Sequence, residues 1–187
     1  MSETLRIHHL IETTRANGPG LRAALWTQGC SLGCKGCFNP ATHPFRGGEL
    51  VAVDELARRI TAIDGIAGLS ILGGEPLQQP QAVFSLLRMV KATSDLSVIL
   101  FTGFTLEEIA ARMPGAEELS NLVDVLIAGR YEEDLRLARG LRGSRNKAVT
   151  IFSDRYSEDD LEAVPACEIT VDAKGEITIN GMDPLVW

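Results

Sequence analysis

The sequence predicts an α/β fold, an open partial (β/α)6-type barrel of parallel strands followed by a C-terminal β-hairpin. Short apolar runs alternate with amphipathic stretches, and four of the runs begin at Leu69, Leu96, Leu122 and Ala148. These starting points lie 27, 26 and 26 residues apart, which leaves room for one strand, one helix and two loops in each step. Five or six such units fall short of the eight in a closed (β/α)8 barrel, and a doubly wound parallel sheet is the alternative arrangement.

Each element follows from a local pattern in the chain. Runs of apolar and β-branched residues predict strands at 21–27, 69–72, 96–101, 122–127 and 148–152. Helical spacing of apolar residues predicts a helix over 53–63, and Pro80 suits the first turn of the next helix. Thr105, with Glu108 three residues later, forms the capping-box pattern that opens a third helix, and Ser157 opens a short acidic one.

One domain accounts for residues 1–187, because no composition shift, repeat or linker divides the chain. The segment 29–47, here called the cysteine loop, follows the first predicted strand. Strand patterns at 168–171 and 176–179 flank a tight turn and predict a β-hairpin within a tail at 166–187.

The composition is that of a globular protein with its own core. The 187 residues (20.2 kDa) are 45% hydrophobic with a mean hydropathy of +0.07, which argues against a disordered chain. Lys and Arg number 18 against 25 Asp and Glu, a balance of −7 that is opposite in sign to that of a general nucleic-acid binder. No apolar run is long enough to span a bilayer, and the first residues lack the order of a secretory signal. We therefore expect a cytoplasmic protein with reduced thiols, and neither nucleic acid nor membrane as a partner.

The cysteines indicate a metal site. Cys30, Cys34 and Cys37 form a Cys-x3-Cys-x2-Cys group, and Cys167 stands apart. Three thiolates suit an iron–sulfur cubane in which one iron has no protein ligand and can bind a small molecule. The alternative is a structural zinc site, which needs four ligands, with His43 or Cys167 as the fourth.

These motifs resemble the radical S-adenosylmethionine (SAM) superfamily. The cysteine group follows the first predicted strand, and Gly73-Gly74-Glu75-Pro76 follows the next one. Within the superfamily the chain is similar to the small activating enzymes of glycyl-radical enzymes, above all to the family that activates anaerobic ribonucleotide reductase. The matching segments are 18–22, 28–30, 36–40, 73–77, 101–105, 124–131 and 143–147.

The resemblance implies two cofactors and a radical reaction. Cys30, Cys34 and Cys37 would hold a [4Fe–4S] cluster, and SAM would chelate the open iron. One electron from the reduced cluster would split the S–C5′ bond of SAM, and the resulting 5′-deoxyadenosyl radical would take a hydrogen atom from a glycine of a partner glycyl-radical enzyme. The electron would come from an external low-potential donor such as flavodoxin or ferredoxin.

The same resemblance implies where SAM binds. The backbone of Gly73 and Gly74, together with Glu75, would receive the methionyl amino group, because glycine lets main-chain atoms approach closely and a carboxylate suits an ammonium. Thr102 ends a strand at the edge where ligands bind in parallel sheets. The predicted cofactor contacts are Gly73, Gly74, Glu75, Pro76, Thr102, Ser144 and Asn146. Ser144 and Asn146 are equally typical of turns.

Residues 130–147, here called the basic strip, carry a local positive charge. It contains five Arg and one Lys but three acidic residues, so its net charge is 6 − 3 = +3, whereas the net charge of the whole chain is −7. The strip is either a solvated loop with local salt bridges or a docking surface for an acidic partner or a substrate carboxylate.

Other functions stay open at this point. A small-molecule radical enzyme similar to the 7-carboxy-7-deazaguanine synthases would favour Cys-Asp-Thr where this chain has Cys37-Phe38-Asn39. A peptide-modifying radical enzyme would need further cluster cysteines, and only Cys167 remains. A zinc-binding interaction module is the non-catalytic alternative. Gly36 stands where the superfamily often has an aromatic residue, a shift that the small activating enzymes share, whereas the tail at 166–187 is longer than such an enzyme needs.

Overall fold

A computed structural model of the chain describes residues 3–182. The strands are β1 (Thr4–Thr14), β2 (Arg22–Thr27), β3 (Glu49–Ala52), β4 (Gly68–Gly73), β5 (Ser97–Phe101), β6 (Val125–Ala128), β7 (Arg136–Arg139), β8 (Arg142–Ser144), β9 (Ala148–Ile151), β10 (Cys167–Val171) and β11 (Ile177–Gly181). The α-helices are α1 (Val53–Thr61), α2 (Pro80–Thr93), α3 (Leu106–Arg112), α4 (Leu119–Leu122) and α5 (Glu158–Glu162). None of the helices within residues 3–182 has the length and apolar character needed to cross a bilayer.

A mixed sheet of seven strands forms the centre of the fold, in the order β3-β1-β2-β4-β5-β6-β9. The four strands β2, β4, β5 and β6 are parallel neighbours, with Arg22 opposite Gly68 and Gly68 opposite Ser97. On one side β1 and β3 extend the sheet with antiparallel pairing, and β3 and β9 stand at its two edges. The loops after the four parallel strands therefore leave the sheet at one common edge.

The edge strand β9 is antiparallel to its neighbour β6. The sequence predicts a further parallel βα unit at 148–152, and this prediction is wrong, because β9 pairs with β6 antiparallel. Between these strands the chain forms the β7–β8 hairpin instead of a crossover helix, and a return without a crossover reverses the strand direction. The strand predicted at 122–127 also begins later, since Leu122 ends α4.

Apolar side chains on the two faces of the sheet form separate clusters, because successive residues of a strand point to opposite faces. On β5, Val98 and Leu100 pack with α1 and α2 in the larger cluster. Ile99 packs in a smaller cluster on the other face, which Leu141 and Leu161 from the last third of the chain complete. Helices α1 to α4 thus cover one face, and the C-terminal segments, α5 among them, cover part of the other.

A buried carboxylate links three elements of this scaffold. Asp124 accepts hydrogen bonds from Lys91 Nζ, the backbone N of Val98 and Ser153 Oγ, each at 2.7 Å. Burial alone raises the pKa of Asp124, but the bonds from Lys91, Val98 and Ser153 outweigh it and hold the pKa below its ordinary value of 3.8. The residue therefore stays ionised and ties α2, β5 and the segment after β9 together.

The predicted hairpin is present as β10 and β11, with Ile169 opposite Ile179. Its polar side faces the turn after β1, where Thr14 Oγ1 bonds Glu168 Oε2 at 2.6 Å and Asn180 Nδ2 at 2.8 Å. Its apolar side faces solvent. Residues 183–187 of the predicted tail lie outside the described part of the chain.

Candidate cofactor site

Three loops meet at one edge of the sheet, each after one of three neighbouring parallel strands. The cysteine loop follows β2, the Gly-Gly-Glu-Pro motif follows β4 and Thr102 follows β5. They surround one pocket, whose lining includes Cys30, Cys34, Cys37, Gly73, Gly74, Glu75 and Thr102. The structure therefore brings seven of the ten predicted site residues together around a single space.

The backbone of the cysteine loop is fixed by its own closing contacts. Gly29 N donates to Thr42 O at 2.8 Å, and Cys30 N donates to His43 O at 2.9 Å. Gly33, between the first two thiols, has a φ of 62°, a left-handed conformation that glycine adopts without steric cost. The loop thus folds back on itself and turns its thiols toward the pocket.

The chemistry of the thiols fits a cluster. All three pocket cysteines are free and half-buried, and burial raises the pKa of both Cys30 and Cys37. Thiolates at these positions need nearby positive charge, which bound iron supplies. Three thiols that line one pocket fit an iron–sulfur cluster with an open iron.

The Gly-Gly-Glu-Pro motif packs against the start of the cysteine loop. Gly74 N donates to Thr27 O and Glu75 N donates to Gly29 O, both at 2.9 Å. A Cβ on Gly74 would lie 2.4 Å from Gly29 O, and one on Gly73 would lie 2.6 Å from Thr27 N. Only glycine fits at these two positions, because the atoms in the way belong to the backbone.

Glu75 joins the loops after β4 and β5. It is 1% exposed, and its Oε1 accepts from Leu77 N at 2.9 Å and from Thr102 Oγ1 at 2.7 Å. Its Oε2 accepts from Gly103 N at 2.6 Å. Burial raises the pKa of Glu75, and although these donors and Lys147 act in the opposite direction, the pKa stays above its ordinary value. The carboxylate is therefore a brace within the chain as well as part of the pocket wall.

Three predicted contacts do not line the pocket. Pro76 is buried and begins a short 3-10 turn. Ser144 is buried, and its Oγ accepts from Glu132 N at 3.2 Å. Asn146 is exposed, and its Nδ2 donates to Arg130 O and to Glu132 Oε1, both at 2.9 Å. Ser144 and Asn146 contact the segment at 130–132 through these hydrogen bonds, and their contact with SAM stays a prediction.

Sequence reasoning missed several residues of the pocket wall. Lys147 lines the pocket, and its Nζ donates to Gly129 O at the end of β6. Phe38 and Tyr131 also line it, with ring centroids 4.8 Å apart, and Met182 closes the same side. The signal for Lys147 was its position in the matching segment 143–147. The direction of the Lys147 side chain could not be predicted, because it depends on the pairing of β8 with β7 and of β9 with β6.

The basic strip forms local ion pairs. Arg130 contacts Glu108 at 2.5 Å, and Arg139 and Arg142 contact Glu162 at 2.7 and 2.9 Å. These acidic partners lie outside the strip in sequence, so a charge count within 130–147 could not include them. The pairs favour the first of the two interpretations, a solvated loop with local salt bridges.

Comparison with known proteins identifies the family. The family described as 4Fe-4S single cluster domain matches residues 16–150. The anaerobic ribonucleoside-triphosphate reductase-activating protein of Enterobacteria phage T4 is 36% identical over 150 residues, 77% of this chain and 92% of the phage protein. The protein of that name from Escherichia coli K12 is 29% identical over 78% of this chain and 97% of its own length. The pyruvate formate-lyase-activating enzyme of Clostridium pasteurianum is 32% identical over 46% of this chain and 38% of its own length.

The family match at residues 16–150 includes the cysteine loop, the Gly-Gly-Glu-Pro motif and the strands that carry them. The 4Fe-4S family and the three thiols around one pocket agree on the cluster. The chain belongs to the family of anaerobic ribonucleoside-triphosphate reductase-activating proteins, activating enzymes of the radical SAM type with a single [4Fe–4S] cluster domain.

Proposed function

We propose that this enzyme cleaves SAM reductively at a [4Fe–4S] cluster and removes a hydrogen atom from a glycine of a partner glycyl-radical enzyme of the anaerobic ribonucleotide reductase type. The observation that supports it best is the single pocket in which three thiols, the Gly-Gly-Glu-Pro motif and Thr102 meet. The names of the relatives support the class of partner.

Different residues of the pocket bind the cluster and SAM. Cys30, Cys34 and Cys37 hold the cluster, which when bound supplies the electron that breaks the S–C5′ bond of SAM. Gly73 and Gly74 present bare backbone to the pocket, so that the methionyl amino group can approach main-chain acceptors closely. Glu75 forms part of the same wall, where Thr102 and Gly103 hold its side chain in place.

The remaining wall keeps water away from the reacting atoms. Phe38, Tyr131 and Met182 give one side of the pocket an apolar surface, and Leu72 and Phe101 give it another. Enclosure of this kind holds a reactive radical close to its intended substrate and away from molecules dissolved in the solvent.

We also propose that the open sheet is a partial barrel, and that its open side admits the partner protein. β3 and β9 are the two edge strands of the seven-stranded sheet. A large substrate can then complete the enclosure of its own glycine. The electron is expected from flavodoxin or ferredoxin, since clusters of this class titrate at roughly −400 mV or below.

The test begins with anaerobic reconstitution. The wild type is expected to bind about four irons per chain and, with dithionite and SAM, to form 5′-deoxyadenosine. Cys34→Ala should lose both properties. Cys167→Ala should keep both, because Cys167 lies half-buried on β10 and does not line the pocket.

The second stage adds a candidate partner. A glycyl radical seen by electron paramagnetic resonance, and absent when the target glycine is replaced by alanine, would support the proposal. Formation of 5′-deoxyadenosine with no partner radical, but with turnover of a small molecule or peptide, would favour the other radical enzymes. No 5′-deoxyadenosine under any low-potential reductant would refute SAM cleavage.

A further inference from the structure

Lys147 places a cationic side chain in the wall of the pocket. It follows the β8 strand, where its backbone N donates to Ser144 O at 3.2 Å. Its side chain crosses to β6 and donates from Nζ to Gly129 O. Among the residues of 3–182 that line the pocket, it is the one lysine or arginine.

The charges around Lys147 are those of the pocket itself. Cys34, Cys37 and Glu75 interact electrostatically with its ammonium group, each in the direction that favours the charged form. Burial acts in the opposite direction and lowers the pKa of Lys147. No carboxylate within residues 3–182 forms a salt bridge with it. Its charge is therefore directed at the pocket rather than neutralised by a close partner.

Lys35, which lies in the cysteine loop, differs from Lys147 in its surroundings. It directly follows Cys34 in sequence, yet its side chain is 87% exposed and pairs with Glu133 at 3.0 Å. Solvent and the paired carboxylate screen that charge. Two lysines close to the cysteine loop thus differ in burial and in pairing.

We propose that the positive charge of Lys147 raises the reduction potential of the cluster. Reduction adds one electron, taken from an external low-potential donor, and no bond of the protein forms or breaks. The added negative charge is stabilised by a cation nearby, and more strongly where water is excluded. Net charge and solvent exposure are among the factors that set the potentials of iron–sulfur clusters.

This role presupposes the cluster of the proposed function, but neither SAM nor the partner enzyme. The experiment is therefore a redox titration of the reconstituted protein alone, followed by electron paramagnetic resonance. Four variants separate charge from shape. Lys147→Met removes the charge, Lys147→Gln removes it but keeps a donor for Gly129 O, Lys147→Arg keeps it, and Lys35→Met removes the exposed charge.

The two neutral variants at position 147 are expected to reduce the ratio of reduced to oxidised cluster about tenfold at a fixed potential, which is a shift of about −59 mV for one electron. Lys147→Arg and Lys35→Met should each change the ratio by less than about twofold. Binding of four irons by Lys147→Arg but by neither neutral variant would assign the charge to cluster binding rather than to the reduction potential, and would overturn the inference.

Several outcomes would overturn the inference. These are wild-type potentials in both neutral variants, an equal shift in Lys35→Met, or loss of the cluster in Lys147→Arg as well. An unchanged potential in both neutral variants, with weaker SAM binding in a separate titration of the loaded protein, would assign Lys147 to SAM instead. A wild type that binds no iron would overturn the proposed function too, whereas a loaded wild type with unshifted variants would overturn the role of Lys147 alone.

Discussion

Replacing Gly74 by alanine tests whether contact between two loops builds the pocket. The new Cβ would lie 2.4 Å from Gly29 O and 3.0 Å from Thr42 O, well inside the 3.3–3.6 Å of even a close carbon–oxygen contact. Both oxygens belong to the backbone, so no side-chain rotation relieves the overlap. The loop after β4 must move away from the cysteine loop, and the hydrogen bond from Glu75 N to Gly29 O is strained or lost.

The expected cost follows from these two effects. Overpacking of a close contact costs about 1–3 kcal/mol, and the lost hydrogen bond costs about 1 kcal/mol. Gly74→Ala should therefore lower the free energy of unfolding by about 2–4 kcal/mol. With a urea dependence of about 2 kcal/mol per molar, the unfolding midpoint should fall by about 1–2 M.

The assay is anaerobic urea unfolding of the cluster-free protein, with iron content after reconstitution as a second measurement. Gly33→Ala is the matched control, because Gly33 lies inside the cysteine loop and nothing lies within 4 Å of its added Cβ. Its left-handed φ of 62° gives a cost of about 1–2 kcal/mol from conformation alone. If Gly74→Ala lost no more stability than Gly33→Ala and bound a full set of irons, the steric explanation would be refuted.

Three further predictions use the same unfolding measurement. Asp124→Asn should lower stability by about 3 kcal/mol at pH 7, because it breaks a buried ion pair. Since the folded pKa of Asp124 lies below 3.8, this loss of stability should be present above pH 3.8 and shrink as the pH falls through the folded pKa. A loss that does not depend on pH would contradict the prediction. Thr102→Val should lose about 1–2 kcal/mol with the bond to Glu75, and Thr102→Ser should recover most of it. Val171→Lys with Ile177→Glu should change stability by less than about 0.5 kcal/mol, because these cross-strand partners are both 65% exposed and opposite charges there do not repel; a larger loss would show that they are covered.

The part of the site that could be predicted is the part encoded locally. The spacing of Cys30, Cys34 and Cys37 and the run from Gly73 to Pro76 are short motifs whose chemistry does not depend on distant residues. The two helix starts at Thr105 and Ser157 are similar, since each capping box closes within three residues of its cap. Strand spacing then placed Thr102 beside these motifs, because parallel strands bring their ends to one edge.

What could not be predicted depends on long-range pairing. β1 was not predicted from the sequence. Its polar and apolar residues alternate irregularly, because it lies near one side of the sheet and many of its side chains are half-buried or exposed. The direction of β9 depends on the β7–β8 hairpin before it rather than on its own composition. The position of Lys147 follows from that hairpin as well, and so the cationic wall of the pocket was not visible in the sequence.

The order of the site's elements along the chain has a consequence for how the protein is made. Cys37 is the last of the three pocket thiols, and β5, the last of the three parallel strands whose loops surround the pocket, ends 64 residues later at Phe101. At roughly 5–20 residues per second, the ribosome needs roughly 3–13 s for this stretch. During that interval each nascent chain carries three thiols whose flanking walls have not been synthesised. Because accessible thiolates are the ones that oxidise, reducing conditions matter to this protein during translation as well as during turnover.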